Sequence, residues 1–207
     1  MPTMNKEKIT TWLALLTVGL LAAQALLFLV SWLVTAMRPD TAMHSLLSSE
    51  GIRWFFGSFI GNVASPILVW ILVIAMAFSV MADTRLLHDI RHFAALPYRP
   101  RFALQFVALE LFLFIVVVVI SALVPHAPLL SVTGQLFPSS FSRSLIPMIA
   151  FCVILMSVTY GLLSGKMKSW DEAFLSITRG VSRVAPLILV YIVAAELFCS
   201  LMYVFGT

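Results

Sequence analysis

Charged residues are scarce in this chain of 207 residues: they account for 11% of it, whereas hydrophobic residues account for 61%. Soluble globular domains contain roughly 25% charged and about 45–50% apolar residues. A chain so poor in charge cannot cover its apolar surface in water, so we exclude a soluble globular domain. The mean hydropathy of +1.05 indicates that lipid is its main solvent.

Cysteine is also rare, with only Cys152 and Cys199 in the chain. Both lie inside apolar runs, and neither has a Cys or His neighbour at metal-ligand spacing, so we interpret them as small buried side chains. The GxSxG, HExxH, P-loop and CxxC signatures are absent from the sequence. We therefore predict a protein that is not an enzyme, with no catalytic residue, cofactor or metal ion.

His88 and His92 have the i, i+4 spacing of a helical metal site, which requires a third ligand to converge on them. Arg85 and Arg91 belong to the same segment and would repel a cation. We interpret these histidines as part of a solvated basic face.

Five long apolar runs occupy most of the chain, and each is about long enough to cross a hydrocarbon core of roughly 30 Å as an α-helix. They are Trp12–Met37, Gly57–Ala82, Phe102–Val124, Leu145–Leu163 and Ala185–Phe205. We predict an all-α integral membrane protein with five transmembrane helices in a single domain, residues 1–207.

The positive charges between the runs alternate from one side of the predicted membrane to the other. Inner loops retain Lys and Arg, whereas outer loops exclude them. With the N-terminus inside and the C-terminus outside, three basic residues are outside and ten are inside. The outer residues are Arg38, Arg53 and Arg143, and the inner ones are Lys6, Lys8, Arg85, Arg91, Arg99, Arg101, Lys166, Lys168, Arg179 and Arg183. We attribute the net charge of +4 to topology and lipid contact, and expect no nucleic-acid partner.

Two segments outside the predicted spans are amphipathic and should lie along the membrane surface as short helices. The first is near 46–56, where Ser48 or Ser49 can serve as the N-cap. The second is near 169–183, where Ser169 and Glu172 form a capping-box pattern.

Small residues at helical spacing mark places where helix backbones can approach closely. Gly57 and Gly61 provide such a stripe in the second run, which we expect Pro66 to kink. Gly161 and Gly165 provide another at the end of the fourth run. We predict helix-packing seams at both stripes, either within the chain or in a homo-oligomer.

Polar groups inside the apolar runs are the candidates for a proton or substrate path. Glu110 and Glu196 are the two carboxylic acids there, and Asn62 is a strongly polar neighbour in the second run. An intramembrane acid costs on the order of 2.5–3.5 kcal/mol, so each is a functional-site hypothesis. Both acids fall near the bilayer centre, where they could share a proton. The alternatives are acids that only hold two helices together, and an Asn62 that makes an interhelical hydrogen bond.

Several motifs resemble the AbgT family of p-aminobenzoyl-glutamate transporters and antimetabolite exporters. The stretch from Ser48 to Phe55 is similar to the Glu-Gly-Ile-Arg-Trp motif that precedes the second span of that family. Further similar stretches follow in the same order: Leu129–Ser144 with Leu145-Ile146-Pro147, Tyr160-Gly161, Gly165–Ser169 and Ala185-Pro186. The fourth and fifth spans with the segment between them carry most of the match.

The chain also departs from the AbgT pattern. Family members are more than twice as long and contain two re-entrant hairpins that form the substrate path. Here the segment 83–101 replaces the first hairpin, and the sequence ends where the second would follow. At Glu196 the family more usually has Gln. Family substrate residues therefore have no counterparts to be transferred to this chain.

The resemblance implies a reduced-size transport protein of a bacterial inner membrane, acting as a homo-oligomer or with a partner membrane subunit. Its cargo would be a small organic anion or an amphiphile, with protons exchanging at Glu110 and Glu196. The alternative is a non-transporting scaffold or accessory subunit that keeps only the framework helices. A third reading is a relic, or a fragment whose remainder is encoded separately.

Reporter tags test the predicted topology directly. A fluorescent protein that folds only in the cytoplasm should report on the N-terminus, and alkaline phosphatase, which is active only outside, should report on the C-terminus. The reason is the odd number of spans together with the excess of inner Lys and Arg. Both termini on the same side would contradict the five-span arrangement.

Overall fold

The computed structural model describes residues 3–38, 40, 43–123 and 140–206, with side chains in 8–38, 40, 43–121 and 144–206. These residues form helices and no β-strand. Besides a short 3₁₀ turn at Phe93–Ala95 there are seven α-helices: α1 Thr3–Met37, α2 Ser49–Val63, α3 Pro66–Thr84, α4 Leu86–Arg91, α5 Tyr98–Leu123, α6 Ser140–Ser164 and α7 Trp170–Phe205.

Five helices are long and apolar enough to cross a membrane, which confirms the predicted all-α, five-span fold class. The spanning segments are Lys8–Met37, Pro66–Thr84, Tyr98–Ser121, Ser144–Ser164 and Trp170–Phe205. Their outer faces carry large apolar side chains, such as Leu26, Val117 and Phe198, that are about 60% exposed in the chain. Exposure of such an apolar surface to water would be unfavourable, whereas lipid solvates it.

The second predicted span, Gly57–Ala82, is wrong in one respect, because it is not a single kinked helix. Helix α2 ends at Val63 and α3 begins at Pro66. Pro66 has no N–H, and its ring would clash with the carbonyl four residues earlier, which disfavours continuation of α2. Ser65 then caps the new helix, since its Oγ accepts a hydrogen bond from Ile67 N at 3.1 Å. Of the two pieces, only α3 is long enough to cross a hydrocarbon core by itself.

Helix α2 is also longer than the surface helix predicted near 46–56. Ser48 is its N-cap, as predicted, and accepts from Gly51 N at 3.0 Å. The helix has 15 residues and a length of about 22 Å, which is too short to cross a hydrocarbon core.

The separate surface helix predicted near 169–183 is also wrong, because these residues are the first half of α7. That helix has 36 residues with Pro186 inside it, so it is about 54 Å long. Ala185 precedes Pro186 and offers no capping oxygen, so a helix end there would have no side-chain cap. Ser169 and Glu172 cap the start of α7: Glu172 N donates to Ser169 Oγ at 3.3 Å, and Glu172 Oε2 accepts from Lys168 N, one residue before the N-cap, at 2.7 Å.

A proline also lies inside α6. Pro147 is the eighth residue of that helix, because α6 already begins at Ser140. Most of the sequence between the third and fourth predicted spans, 124–139, lies outside the described residues.

The helices form two compact units, Met1–Val69 with Val184–Thr207, and Trp70–Arg183. The single domain predicted for residues 1–207 remains a prediction. In the second unit, α5 packs along α6. Its core is formed by the buried residues Leu86, Ala103, Leu104, Val107 and Tyr160.

Ionic contacts and a glycine hold α3 against α7 in the second unit. Asp83 accepts hydrogen bonds from Ser176 Oγ at 2.8 Å and from Arg179 Nη1 at 3.0 Å. Gly180 lies directly on the α3 backbone, so an added Cβ would lie 2.4 Å from Ala75 O. Only glycine permits this approach, and the sequence analysis did not single it out.

The predicted glycine seams have three different outcomes. Gly161 is a close-approach residue, since an added Cβ would lie 3.0 Å from Thr84 Cγ2. Gly165 follows α6 with φ +79°, a left-handed conformation suited to glycine, and an added Cβ would lie 3.0 Å from Arg99 Cζ; its assignment as a packing residue remains a prediction. Around Gly57 and Gly61, no described residue comes within 4 Å of an added Cβ. The seam predicted there is not formed within the described part of the chain.

Alanine at two of these glycines should have opposite effects. Gly180→Ala should lower the free energy of unfolding by about 1–3 kcal/mol, because the new methyl group overlaps the α3 backbone. Gly61→Ala should leave stability unchanged or raise it by up to about 1 kcal/mol, because alanine favours the helix and nothing opposes it. Unfolding of the detergent-solubilised protein, followed by circular dichroism, measures both. Equal effects of the two substitutions would refute the close contact.

Candidate functional site

The first unit brings together two of the three predicted path residues. Asn62 lies in the last turn of α2, and Glu196 lies in the apolar half of α7. The Asn62 Nδ2 donates to both carboxylate oxygens of Glu196, at 3.3 and 3.2 Å. Glu196 is only 4% exposed. The interhelical hydrogen bond considered for Asn62 is therefore present, and its acceptor is one of the two intramembrane acids.

This pair lies beside the break between α2 and α3. The carbonyl oxygen of Val63, which has left the regular helical ladder at the break, accepts hydrogen bonds from Ser65 N at 2.8 Å and from Tyr191 Oη at 3.2 Å. Tyr191 is on α7, five residues before Glu196. An interrupted helix, a freed carbonyl and a buried acid thus lie together. The sequence analysis expected a kink here and missed this site, although Ser65-Pro66 carries the capping signal.

A line of polar groups continues along α7 from Glu196. Ser200, one turn later and fully buried, accepts from Gln24 Nε2 on α1 at 2.9 Å. Tyr203 stacks on Trp54 with ring centroids 4.2 Å apart. Gln24 Oε1 and Tyr203 Oη are buried without a hydrogen-bond partner among the described residues. We refer to Glu196, Ser200, Gln24 and Tyr203 as the α7 polar seam. Ser200 and Gln24 were missed because single amides and hydroxyls are common in spans.

The third predicted path residue, Glu110, belongs to the second unit and has a different environment. Thr159 Oγ1 on α6 donates to its Oε1 at 3.5 Å. Its Oε2 is buried and has no hydrogen-bond partner in the described part of the chain. The carboxyl group lies at a pocket of about 340 Å³ lined otherwise by Phe106, Leu109, Leu113, Phe114, Val117, Cys152 and Leu155.

Glu110 and Glu196 therefore belong to different units, and each has a partner in its own unit. The expectation that the two carboxyl groups share a proton remains a prediction. The contacts within each unit do not require the other acid.

A third polar cluster, in the second unit, was not foreseen. Asp89 is buried at the junction of α3 and α4, and it accepts hydrogen bonds from Lys166 Nζ and Tyr160 Oη. His88 Nδ1 lies 3.1 Å from the other carboxylate oxygen. Lys166 Nζ also donates to Thr84 O at 2.7 Å. The cluster joins the end of α6 to the α3–α4 turn, and the only sequence signal for it was an acid within a basic segment.

The charge of Asp89 is stabilised by these donors. Burial alone would raise its pKa, but the hydrogen bonds from Lys166, Tyr160 and His88 and the charge of Lys166 outweigh burial and lower the pKa to about 2. A carboxylate with this many donors is well suited to hold helices together.

The two histidines with metal-site spacing stack on each other. The rings of His88 and His92 are 4.4 Å apart between centroids, and His92 Nδ1 lies 2.8 Å from His88 O. Within the described ranges, His, Cys, Asp and Glu side chains form no group of three or more that could hold a metal ion.

No protein-family model matches this chain, and no curated protein or solved structure matches it significantly. The assignment that remains follows from the fold. Five helices that are long and apolar enough to cross a bilayer define a multi-pass helical membrane protein.

Removal of the Asp89 charge should destabilise the second unit in a pH-dependent way. Because the pKa falls from 3.8 to about 2 on folding, the stabilisation is fully present above about pH 4 and is lost as the pH falls through 2. Asp89→Asn should lower the free energy of unfolding by roughly 2 kcal/mol at pH 6. The difference from the wild-type protein should shrink between pH 4 and pH 2.

Thermal unfolding in detergent, followed by tryptophan fluorescence, measures this difference. Asp171→Asn is the matched control, because Asp171 is exposed in the first turn of α7. A difference between wild type and Asp89→Asn that does not change with pH would contradict the proposed ion pair.

Proposed function

We propose that this protein is a membrane transport protein or a component of a transporter, and that Glu196 with Asn62 is the site where a proton is taken up and released. The proposed cargo is a small amphiphile. The observation that carries this proposal is the position of a buried acid beside an interrupted helix in the first unit.

Interrupted helices are typical of transporter binding sites. Transporters bind substrates and coupling ions near the membrane midplane, where unwound backbone and helix ends present unpaired polar groups to the site. The α2–α3 break supplies backbone outside the regular helix, where Val63 O accepts from both Ser65 N and the Tyr191 hydroxyl group. This supports transport more strongly than the apolar helices alone do.

The partner of Glu196 favours a titrating role. Among the described residues, no Lys or Arg pairs with this carboxyl group, and Asn62 donates through a neutral amide. An amide stabilises the carboxylate without neutralising it, whereas burial opposes the charged form. A carboxyl group with a neutral partner can release and regain a proton without breaking an ion pair. Asp89, whose charge is paired with Lys166, is by contrast suited to a static role.

The chemical class of the proposed cargo follows from the negative charge of the Glu196 carboxylate. A carboxylate repels an organic anion, so the polar groups at hand favour a neutral or cationic amphiphile over the organic anion that the family resemblance implies. The orientation with the N-terminus inside is part of this proposal and is supported by the distribution of Lys and Arg. The inner-membrane location is also part of it and rests on the family resemblance.

The second candidate function is a scaffold or accessory subunit, and one observation favours it. Gly57 and Gly61 form a small-residue stripe on α2 that no described residue of the chain covers. A helix of another copy or of a partner membrane subunit could approach closely there. A scaffold needs no titrating acid, so the two functions differ in what Glu196 should do.

Proton flux separates the two functions. The purified protein in liposomes containing a pH-sensitive dye should move protons when a pH gradient and an amphiphile gradient are applied. Glu196→Gln keeps the shape and the Asn62 contact but cannot release a proton, so the flux should fall at least tenfold. A scaffold would show no flux in either protein.

Glu50→Gln provides the matched control, because it makes the same isosteric change at an exposed position in the first turn of α2. Its flux should equal that of the wild-type protein. Elution volume and thermal stability should match in all three proteins. Flux that persists unchanged in Glu196→Gln would contradict the assigned role, and flux absent throughout would favour the scaffold.

A further inference from the structure

We propose that the Glu110 pocket, defined by the residues that line it above, is a binding site for a lipophilic amine that enters from the hydrocarbon phase. The site lies in the second unit on α5 and α6, and it does not depend on the role of Glu196. The ligand would place its ammonium group on Glu110 and its apolar body against the neighbouring side chains.

The geometry of the pocket provides the first argument. Its wall is apolar except for the carboxyl group of Glu110, and Leu109, Leu113 and Leu155 remain between 43% and 55% exposed. A volume of about 340 Å³ is within the range of small-molecule pockets and accommodates a body of one or two rings. The open side faces away from the protein interior, so a ligand dissolved in lipid can reach it.

The unused capacity of the carboxyl group provides the second argument. Oε1 has one long hydrogen bond from Thr159, and Oε2 is buried without a partner among the described residues. A buried acceptor without a donor is unfavourable, and more so when it is charged. A ligand with an N–H donor and a positive charge supplies the missing hydrogen bond to Oε2 and neutralises the carboxylate.

These properties select among possible occupants. An organic anion would be repelled, and a neutral hydrocarbon would leave Oε2 unpaired. A lipid ammonium headgroup is excluded by depth, because Glu110 is twelve residues, or about 18 Å, beyond Tyr98 along α5. The remaining class is a protonated amine on a compact apolar body, for which charge complementarity and size agree.

Three probes with the same aromatic body test the assignment on the unmodified protein. Naphthylmethylamine is a cation, methylnaphthalene is neutral and naphthylacetate is an anion. Binding to the full chain in phosphatidylcholine nanodiscs is measured by equilibrium dialysis, with empty nanodiscs as the control for partition. The amine should bind saturably and at least tenfold more tightly than the neutral probe, and the anion should not bind above the control.

Two variants locate the site. Glu110→Gln removes the charge and keeps the shape, so amine affinity should fall about 10- to 100-fold, as expected for the loss of a charge-assisted hydrogen bond. Glu50→Gln should bind the amine like the wild-type protein. Leu113→Trp should also weaken binding, because the larger ring fills the pocket while the carboxylate remains.

The opposite results would overturn the proposal. Equal affinity for the amine and the neutral probe would show that the carboxylate plays no part. Unchanged amine binding in Glu110→Gln would place the ligand elsewhere. A wild-type protein that binds no amine and elutes as a dimer, with Leu113→Trp eluting as a monomer, would show that a second copy covers the pocket.

Discussion

Pro66 cannot donate a backbone hydrogen bond, and its ring excludes the carbonyl of Asn62 from the helical ladder. In hydrocarbon, each backbone group released in this way must find another partner, because no water is present to solvate it. In the first unit, Val63 O accepts from Ser65 N and from Tyr191 Oη on α7, and Ser65 Oγ caps α3. The same interruption ends α2 at the position where Asn62 reaches Glu196. The geometry of the candidate site therefore follows from one residue without an N–H.

The three prolines inside apolar segments show that the preceding residues determine the outcome. Ser65 supplies an oxygen that caps a new helix after the break at Pro66, whereas Ala185 precedes Pro186 and α7 continues through it. Pro147 also remains inside its helix. Proline alone permits either a kink or a break, and the capping capacity of its neighbour favours one of them. The break beside the α7 polar seam therefore depends on the dipeptide Ser65-Pro66.

The intramembrane and interfacial acids have three different electrostatic environments. Asp89 is paired with Lys166 and has a lowered pKa, which suits a structural contact. Among the described residues, the Glu196 carboxyl group has only an amide partner, which suits proton exchange. Glu110 has one weak donor and an apolar pocket, which suits an external cation. Residue type and depth in the sequence are similar for the two glutamates, so their partners distinguish them. The proposed proton site and the proposed amine site thus rest on separate observations in separate units.

The sequence by itself determined that lipid is the main solvent of this protein, that its fold is helical and that it has five spans. Composition and the length of the apolar runs are visible in the sequence alone, and they decide whether a segment can cross a bilayer. It also identified Ser48, the capping residues of α7, and the polar residues Asn62, Glu110 and Glu196. Only the tertiary structure decided which helices those residues join and that Asp89 pairs with Lys166. It also decided that Gly161 and Gly180 lie against a neighbouring helix, whereas no described residue packs on Gly57. Such contacts depend on which faces of distant segments meet, and no local pattern encodes that choice.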